Sequence, residues 1–454
     1  MIEKQKGKVH FIGVGGISMS ALAEILLSEG YKVSGSDRSS SPLTDALKEK
    51  GLEFHEGHSA DNISPDTALV VYTVAVKYDN PELVEARSRG ITVIPRSRLL
   101  GDIMSKYKYP VAVAGTHGKT TTTSMLAYIF VGGGLDPTVI VGGGLDLLNK
   151  KTLRLGKGDY LIAEACEYYR SFLDFKPFAA TILNIEPDHL DYYKDKEDFQ
   201  GAFEDFSKNI LPGGFLIACA DDGDMSRIID NTPAKVVTYG IKNKADFMAR
   251  DIDYECGYPA YSFVAFGKEL GRVQLSVAGE HNVLNSLAAL SNAYVLGLDM
   301  DRAMEDVGKF HGAMRRFEYK FDVCGAKIYD DYAHHPTEVA ATVSAASKLP
   351  HKRLICVFQP HTYSRAKTFL DKFASAFKGA DEVIVADIYA AREAYDPTIP
   401  PELIAKKINE NGVKALAISG NENIASYLKD NLSEGDIAVI MGAGDIYKIY
   451  ALLA

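Results

Sequence analysis

The sequence predicts an α/β protein, and three observations carry that expectation. Short runs rich in Val and Ile recur between amphipathic segments, the texture of strands alternating with helices in parallel sheets covered on both faces. Two glycine-containing loops, at Gly13 and Gly115, each follow such a run and open a stretch with helical spacing. The 454 residues accommodate roughly three domains at a typical 100 to 200 residues each.

Taken in order, strands are expected at 9–12, 32–35, 69–73, 92–94, 111–114, 160–163, 180–184, 215–218 and 235–238, then at 354–358, 382–386 and 437–441. Between about 245 and 278 the residues alternate and glycines break the pattern, which predicts a small antiparallel patch; helices return near His281. Boundaries are expected in the Lys- and Tyr-bearing stretch 105–110 and the charged stretch 311–320, giving domains 1–108, 109–314 and 315–454. Val-Gly-Gly-Gly-Leu-Asp occurs at Val131 and again at Val141, too short a period for a solenoid; it predicts two flexible turns beside a site.

Composition narrows the function. A formal charge of −10 with Lys and Arg spread along the chain offers no basic stripe for nucleic acid or an anionic membrane, so any phosphate must be bound by a built site. The cysteines (Cys166, Cys219, Cys256, Cys324, Cys356) are odd in number, far apart and lack a CxxC pair, which points to a reducing cytoplasm and away from disulfides or zinc. Lys4, Lys6 and Lys8 precede an apolar stretch at 9–27 as a secretory signal would. Three glycines and Glu24 interrupt that stretch, and no other run approaches a membrane span of roughly 18 apolar residues.

Four motifs could carry chemistry. Gly13, Gly15, Gly16 and Ser18 form a glycine loop between a strand and a helix, with Asp37 at the end of the next strand. Such a loop brings backbone amides to a pyrophosphate and sets an acid near a nucleotide's sugar or base, though a plain tight turn reads the same way, and Ser18 replaces the third glycine of the fingerprint. The second motif runs Gly115, Thr116, His117, Gly118, Lys119, Thr120, with a helix opening near Thr121. Its amides would cradle phosphates, Lys119 would neutralise the β and γ phosphates and the Thr120 hydroxyl would ligate Mg²⁺; Val113 stands where the usual P-loop has its first glycine. Glu164 and the run Asp188, His189, Leu190, Asp191 lie at or beyond carboxyl ends of expected strands, where they could hold one or two Mg²⁺. The fourth group is Asp330, Asp331, Tyr332, His334 and His335 with Gln359, His361 and Arg365. Zinc does not suit its single His pair, whereas Arg365 at the end of a strand suits a small carboxylate or is simply a surface residue.

The ordered motifs GVGGISMSALAEIL, GTHGKTTT, AEACEYYRSFL, NIEPDHLDYY, HNVLNSLAAL, RRFE, DDYAHHPTE and QPHTYSR resemble those of the Mur ligases of peptidoglycan synthesis over essentially the whole length. The resemblance implies an N-terminal Rossmann-like domain for a UDP-sugar, a central P-loop ATPase-like domain with a mainly parallel sheet, and a C-terminal Rossmann-like domain for an amino acid. It implies that Gly13, Gly15, Gly16 and Ser18 face the UDP pyrophosphate with Asp37 near the uridine. Lys119 and Thr120 would serve ATP and Mg²⁺, Glu164 and His189 would hold metal, and Asn282 and Asn285 would flank the adenine. Arg316 would reach the γ-phosphate, Asp331 and Tyr332 the nucleotide or intermediate, and His334, His361 and Arg365 would form the amino-acid pocket. Several relatives bridge their metals with a carbamylated lysine some 15 residues beyond the motif histidine, where Phe203 and Glu204 stand here. Some also carry Arg at the place of Thr362.

Within that family the motifs look most like the branch acting on UDP-N-acetylmuramate and L-alanine, with the tripeptide ligase of cell-wall recycling as the alternative. The implied reaction activates the lactyl carboxylate as an acyl phosphate, which the amine then attacks; His189 and His334 are both candidate proton acceptors. Closure of the third domain about residues 315–320 would keep water from the intermediate. A monomer or weak homodimer in the cytoplasm is expected.

Overall fold

The computed structural model describes residues 7–189, 192–254, 257–391 and 393–454; Lys4, Lys6, Leu190, Asp191 and Cys256 lie outside the described residues. The chain divides into two compact units, Met1–Met248 with Ala288–Ala303, and Ala249–Leu287 with Met304–Ala454.

The first unit opens with β1 (Lys8–Ile12), β2 (Val33–Asp37), β3 (Glu53–Glu56), β4 (Thr67–Tyr72) and β5 (Thr92–Pro95), a parallel sheet in the order β3-β2-β1-β4-β5. Val9, Phe11 and Ile12 are buried, as is most of the helix Ile17–Ser28 that follows, because the sheet is covered on both faces. Gly35 of β2 is a packing requirement: a Cβ there would stand 2.8 Å from the Cβ of Val14 in the first glycine loop.

The same unit holds β6 (Tyr109–Ala114), β7 (Thr138–Leu145), β8 (Lys151–Arg154), β9 (Tyr160–Glu164), β10 (Ala179–Ile182), β11 (Phe215–Cys219) and β12 (Lys235–Gly240). They lie in the order β12-β11-β10-β6-β9-β7-β8, parallel except that β8 runs against β7. β13 (Phe247–Asp253) joins β12 in parallel at Phe247 and Met248. Central β6 has β9 on one side and β10 on the other, so the loop leaving β6 lies between the ends of both. Beside this sheet Phe172, Phe199, Phe203 and Phe206 form a buried aromatic cluster, with Phe172 and Phe206 stacked at 4.7 Å and Phe203 edge-on to Phe172 at 5.2 Å.

In the second unit β14 (Ala260–Ala265) and β15 (Lys268–Gln274) form an antiparallel hairpin. β16 (Glu318–Val323), β17 (Ala326–Asp331), β18 (Leu354–Phe358), β19 (Glu382–Val385), β20 (Lys414–Ala417) and β21 (Ile437–Met441) form a sheet in the order β16-β17-β21-β18-β19-β20, antiparallel at β16 and parallel elsewhere. Successive residues of β18 serve opposite cores: Cys356 and Phe358 pack with Val339, Val343 and Phe377, while Ile355 and Val357 pack with Ile424, Leu428 and Ile446.

The antiparallel patch expected between 245 and 278 is the β14–β15 hairpin, whereas β13 continues parallel pairing. The second copy of the Val-Gly-Gly-Gly-Leu-Asp repeat is not a turn. Its residues lie in β7, which keeps to the sheet through a register irregularity between Ile140 and Leu145. The first copy ends the helix Lys119–Gly132 and turns at Gly133 and Gly134.

Truncating the centre of the aromatic cluster, Phe203→Ala, should cost about 3–5 kcal/mol of stability. A denaturant titration followed by far-ultraviolet circular dichroism should show the first unit's midpoint falling; an unchanged midpoint would mean the cluster contributes no cohesion.

Candidate active site

The first glycine loop is held by its own sheet. Gly13 and Val14 donate their N–H groups to the carbonyl of Ser36 at 2.8 and 3.0 Å, and Gly13 takes a φ of +84° that a side chain would strain. Gly16 caps the helix Ile17–Ser28 without a side-chain hydrogen bond, which leaves amide donors at its N-terminus. Asp37 folds back onto this loop and accepts the N–H of Gly15 at 2.8 Å and of Arg38 at 2.7 Å. Ser18 receives the guanidinium of Arg96, a residue whose approach from 78 positions away the sequence does not announce.

The second glycine loop follows β6. Gly115 has a φ of +137°, and a Cβ there would lie 3.1 and 3.2 Å from the amide nitrogens of Leu183 and Asn184. Gly118, at a φ of +86°, begins the helix Lys119–Gly132. Asn184 clamps the loop: its Oδ1 accepts the His117 N–H at 2.8 Å and its Nδ2 donates to the His117 carbonyl at 3.1 Å. Thr116 is fixed through its hydroxyl, which donates to the Glu186 carbonyl at 2.7 Å, and the His117 ring lies 3.2 Å from the Glu186 carboxylate.

Lys119 turns its ammonium to the loop carbonyls of Gly115 and Thr116 and to both oxygens of Glu167, at 3.1 and 2.9 Å. Both side chains are largely removed from water, at 16% and 2% exposure. Burial opposes the charge of each, but their mutual attraction prevails: Lys119 titrates above its ordinary value and Glu167 below its own. Glu167 also faces His189 Nε2 at 3.5 Å, and His189 stacks on Tyr168 at 4.3 Å with a positive φ of 55°. Glu167 thus joins two expected site residues, though its place in the sequence, directly after Cys166, gives only proximity to Glu164 as a signal.

Thr120 and Glu164 meet at the loop's other side. The Thr120 hydroxyl donates to Glu164 Oε2 at 3.1 Å, and Glu164 Oε1 accepts the N–H of Gly142. Gly142 must be small, since a Cβ would come within 3.0 Å of that carboxylate and 3.2 Å of the hydroxyl. A hydroxyl and a carboxylate side by side are hard oxygen donors of the kind Mg²⁺ takes. Phe203 and Glu204 offer no bridging ligand: Phe203 is fully buried in the aromatic cluster, and Glu204 is paired with Lys208 at 2.8 Å and Arg227 at 2.9 Å.

In the second unit the fourth motif gathers at the ends of β17 and β18. Arg316 lies over the Tyr332 ring at 5.2 Å and 4.0 Å from Glu338. His334 is edge-on to Tyr332 at 5.4 Å and to His361 at 5.8 Å, and Arg365 Nη1 lies 3.2 Å from His361 Nδ1. Glu338, which sequence reasoning passed over, ties the group together by accepting the N–H groups of His334 and His335 at 3.0 and 3.2 Å. Asp331 is buried and accepts from Ala333 N and Phe317 N at 2.7 and 2.8 Å; burial, against the pull of Arg316, lifts its carboxyl to about 6. Asn282 and Asn285 sit in the first turns of the helix Glu280–Val295, Asn285 donating to Asn282 Oδ1 at 3.0 Å.

Three family descriptions match the chain in succession: the Mur ligase family catalytic domain over residues 8–108, the Mur ligase middle domain over 113–293 and the Mur ligase glutamate ligase domain over 315–444. The chain is 48% identical over 442 residues to UDP-N-acetylmuramate–L-alanine ligase of Clostridium novyi, covering 97% of this chain and 96% of that one. It is also 48% identical over 443 residues to the enzyme of the same name from Acetivibrio thermocellus, covering 97% and 94%. Among solved structures, UDP-N-acetylmuramate-alanine ligase of Thermotoga maritima superposes with a TM-score of 0.83 at 30% identity, covering 98% of both chains. The murein peptide ligase of Psychrobacter arcticus superposes less well, at 0.71 and 26% over the same coverage. With all three domains matched in order and near-full-length likeness at this identity, the chain belongs to the Mur ligase family.

Proposed function

We propose that this protein joins L-alanine to the lactyl carboxylate of UDP-N-acetylmuramate in peptidoglycan synthesis, consuming ATP and releasing ADP and phosphate. The observation that carries the reading is the loop after β6, where a largely buried ammonium and a hydroxyl–carboxylate pair flank one glycine loop at the start of a helix. Relatives at 46% to 48% identity over nearly the whole chain bear the name of that ligase, which supports the choice of substrates.

A carboxylate resists amines until one of its oxygens becomes a phosphate leaving group. The lactyl carboxylate attacks the γ-phosphorus, an O–P bond forms, and ADP departs. Lys119 neutralises charge on the phosphoryl oxygens, and Glu167 keeps it protonated and pointed into the loop. Thr120, Glu164 and His189 are the residues that would hold Mg²⁺, which when bound neutralises phosphate charge. Asn282 and Asn285 flank the adenine, with Gly115, Thr116, His117, Gly118 and Thr121 lining the phosphate path. Gly13, Gly15, Gly16, Ser18 and Asp37 hold the UDP-sugar.

The amine of L-alanine, oriented by Arg365 on its carboxylate beside His361 and Tyr332, adds to the acyl carbon. It must first shed a proton, for which His189 and His334 are the candidate acceptors. Phosphate then leaves and the amide remains. Arg316 reaches the γ-phosphate and Asp331 the nucleotide or intermediate, within a third domain spanning 315–454. The protein works in the cytoplasm on small molecules, as a monomer or weak homodimer; no helix among the described residues is long and apolar enough to cross a membrane.

Purified protein with ATP, Mg²⁺, UDP-N-acetylmuramate and individual amino acids should give a UDP-linked product heavier by one alanyl residue, seen by mass. Strong preference for the whole tripeptide in a parallel reaction would overturn the assignment. Lys119→Ala should lower phosphate release by at least about 100-fold; unchanged release would remove the phosphate loop from the chemistry.

Asp331 generates a pH signature. Its folded value of about 6 exceeds the ordinary 3.8, so the folded protein holds this proton after the unfolded chain has lost it. The stabilisation is full below pH 4, declines as pH rises toward 6 and is gone above, a span of up to about 3 kcal/mol. Asp331→Asn should therefore show a flatter thermal midpoint than wild type between pH 4 and 6, with a pH-independent offset from its lost acceptor. Parallel profiles for the two proteins would refute this.

A further inference from the structure

Behind the first glycine loop lies a buried polar cluster that none of the motifs above includes. At its centre is Glu82, wholly buried in the first turn of the helix Pro81–Ser88. Oε1 lies 3.2 Å from His10 Nε2 and 2.7 Å from Asn62 Nδ2; Oε2 lies 2.8 Å from the Ser36 hydroxyl and 2.8 Å from His58 Nδ1. Burial alone would raise this carboxyl, but the bonds from His10 and Asn62 outweigh it and hold Glu82 below the usual carboxylate range. An ionised carboxylate only accepts, so all four partners must donate.

That requirement fixes the histidines. His10 carries a proton on Nε2, and its Nδ1 lies 2.9 Å from the Ser34 hydroxyl. His58 carries a proton on Nδ1, directed inward, and its Nε2 therefore points to the opposite side of the ring. His58 is 23% exposed, and among the described residues its Nε2 has no hydrogen-bond partner. Its position is equally constrained. Asn62 Nδ2 also donates to the Gly57 carbonyl at 3.2 Å, Gly57 N donates to the Asp37 carbonyl at 2.7 Å, and Gly57 turns with a φ of +82°. His58 thus stands just past the carboxyl ends of β2 and β3, where open parallel sheets bind ligands. It lies 3.2 Å from the hydroxyl of Ser36, whose carbonyl anchors Gly13 and Val14.

We infer that His58 is a ligand-contacting residue for the nucleoside diphosphate end of the sugar nucleotide, presented by Glu82, which acts as its positioning residue. The inference rests on the proposal that the first domain binds a UDP-sugar. A neutral Nε2 accepts from a base imide or ribose hydroxyl and a protonated one donates to a phosphate oxygen, and uridine diphosphate offers both kinds of group.

The test uses the full-length protein and UDP as probe. His58→Asn leaves an amide where Nδ1 meets Glu82 but nothing at Nε2, whereas His58→Gln places an amide near Nε2. Isothermal titration should show UDP binding weakened roughly three- to tenfold in His58→Asn and largely restored in His58→Gln. The KM for UDP-N-acetylmuramate should move with it while kcat and the KM values for ATP and L-alanine stay put. Independently of any substitution, the Nε2 resonance of ¹⁵N-labelled His58 should shift on adding UDP and not on adding ATP. Wild-type UDP affinity in His58→Asn, or a resonance indifferent to UDP, would overturn the assignment and leave His58 as a brace for Glu82. Failure of the wild-type protein to bind UDP at all would instead overturn the first-domain reading, and the role of His58 with it.

Discussion

A buried ammonium cannot stand without an anion, and the loop after β6 is organised around that constraint. Taking Lys119 out of water carries a penalty of several kcal/mol. Glu167 offsets it at 2.9 Å, and just beyond Glu167 the backbone turns sharply through Tyr169 and Arg170, both at a φ of 53°. Strain of that kind persists where surroundings over-determine it. Here Arg170 is tied to Asp198 at 2.7 Å and Tyr193 hydroxyl to the Glu167 carbonyl, so the turn, the acid and the ammonium are fixed as one unit.

The sheet supplies the other half of this arrangement. Because β9 and β10 flank β6 in parallel, Glu164 comes level with Val113 and the residues after Ile182 come level with the loop. One carboxylate then reaches Thr120 and one amide side chain, Asn184, clamps His117. A different strand order with the same sequence motifs would separate these groups. The chemistry therefore depends on topology as much as on the residues of the loop.

How much of this was legible in the sequence follows from burial. Interior strands such as β1, β6, β18 and β21 are covered on both faces and read as unbroken apolar runs, so they stood out. The strands passed over include β3 (EFHE), β8 (KTLR) and β16 (EYKFDV), which lie at the ends of their sheets and carry polar residues toward water. They also include β7 (TVIVGGGL) and β17 (AKIYDD), which lie inside their sheets but whose apolar runs are cut short by glycines or acids. The same asymmetry governs the sites. Glycine loops announce themselves because φ values such as +86° at Gly118 demand glycine locally. Glu82 and Glu167 act through partners brought close by folding, which the spacing of acids along the chain does not announce, whereas Glu338 caps its own helix three residues after His335, a local pattern that the sequence does carry.

The two glycine loops differ in the charges set around them. At the first, the acid Asp37 sits directly on an amide of the loop, 2.8 Å from Gly15 N, and the basic group in contact is Arg96 on Ser18. A helix N-terminus contributes the equivalent of about half a positive charge. Asp37 offsets part of that positive end by taking the Gly15 amide itself. At the second, a full cation is held within the loop, and the acids face it or the Thr120 hydroxyl from the side. The cation there is balanced by Glu167, so the second loop carries a paired charge where the first carries an acid on an amide. The two loops therefore differ in what they place against their amides and side chains: an acid on the first, an ammonium paired with an acid on the second.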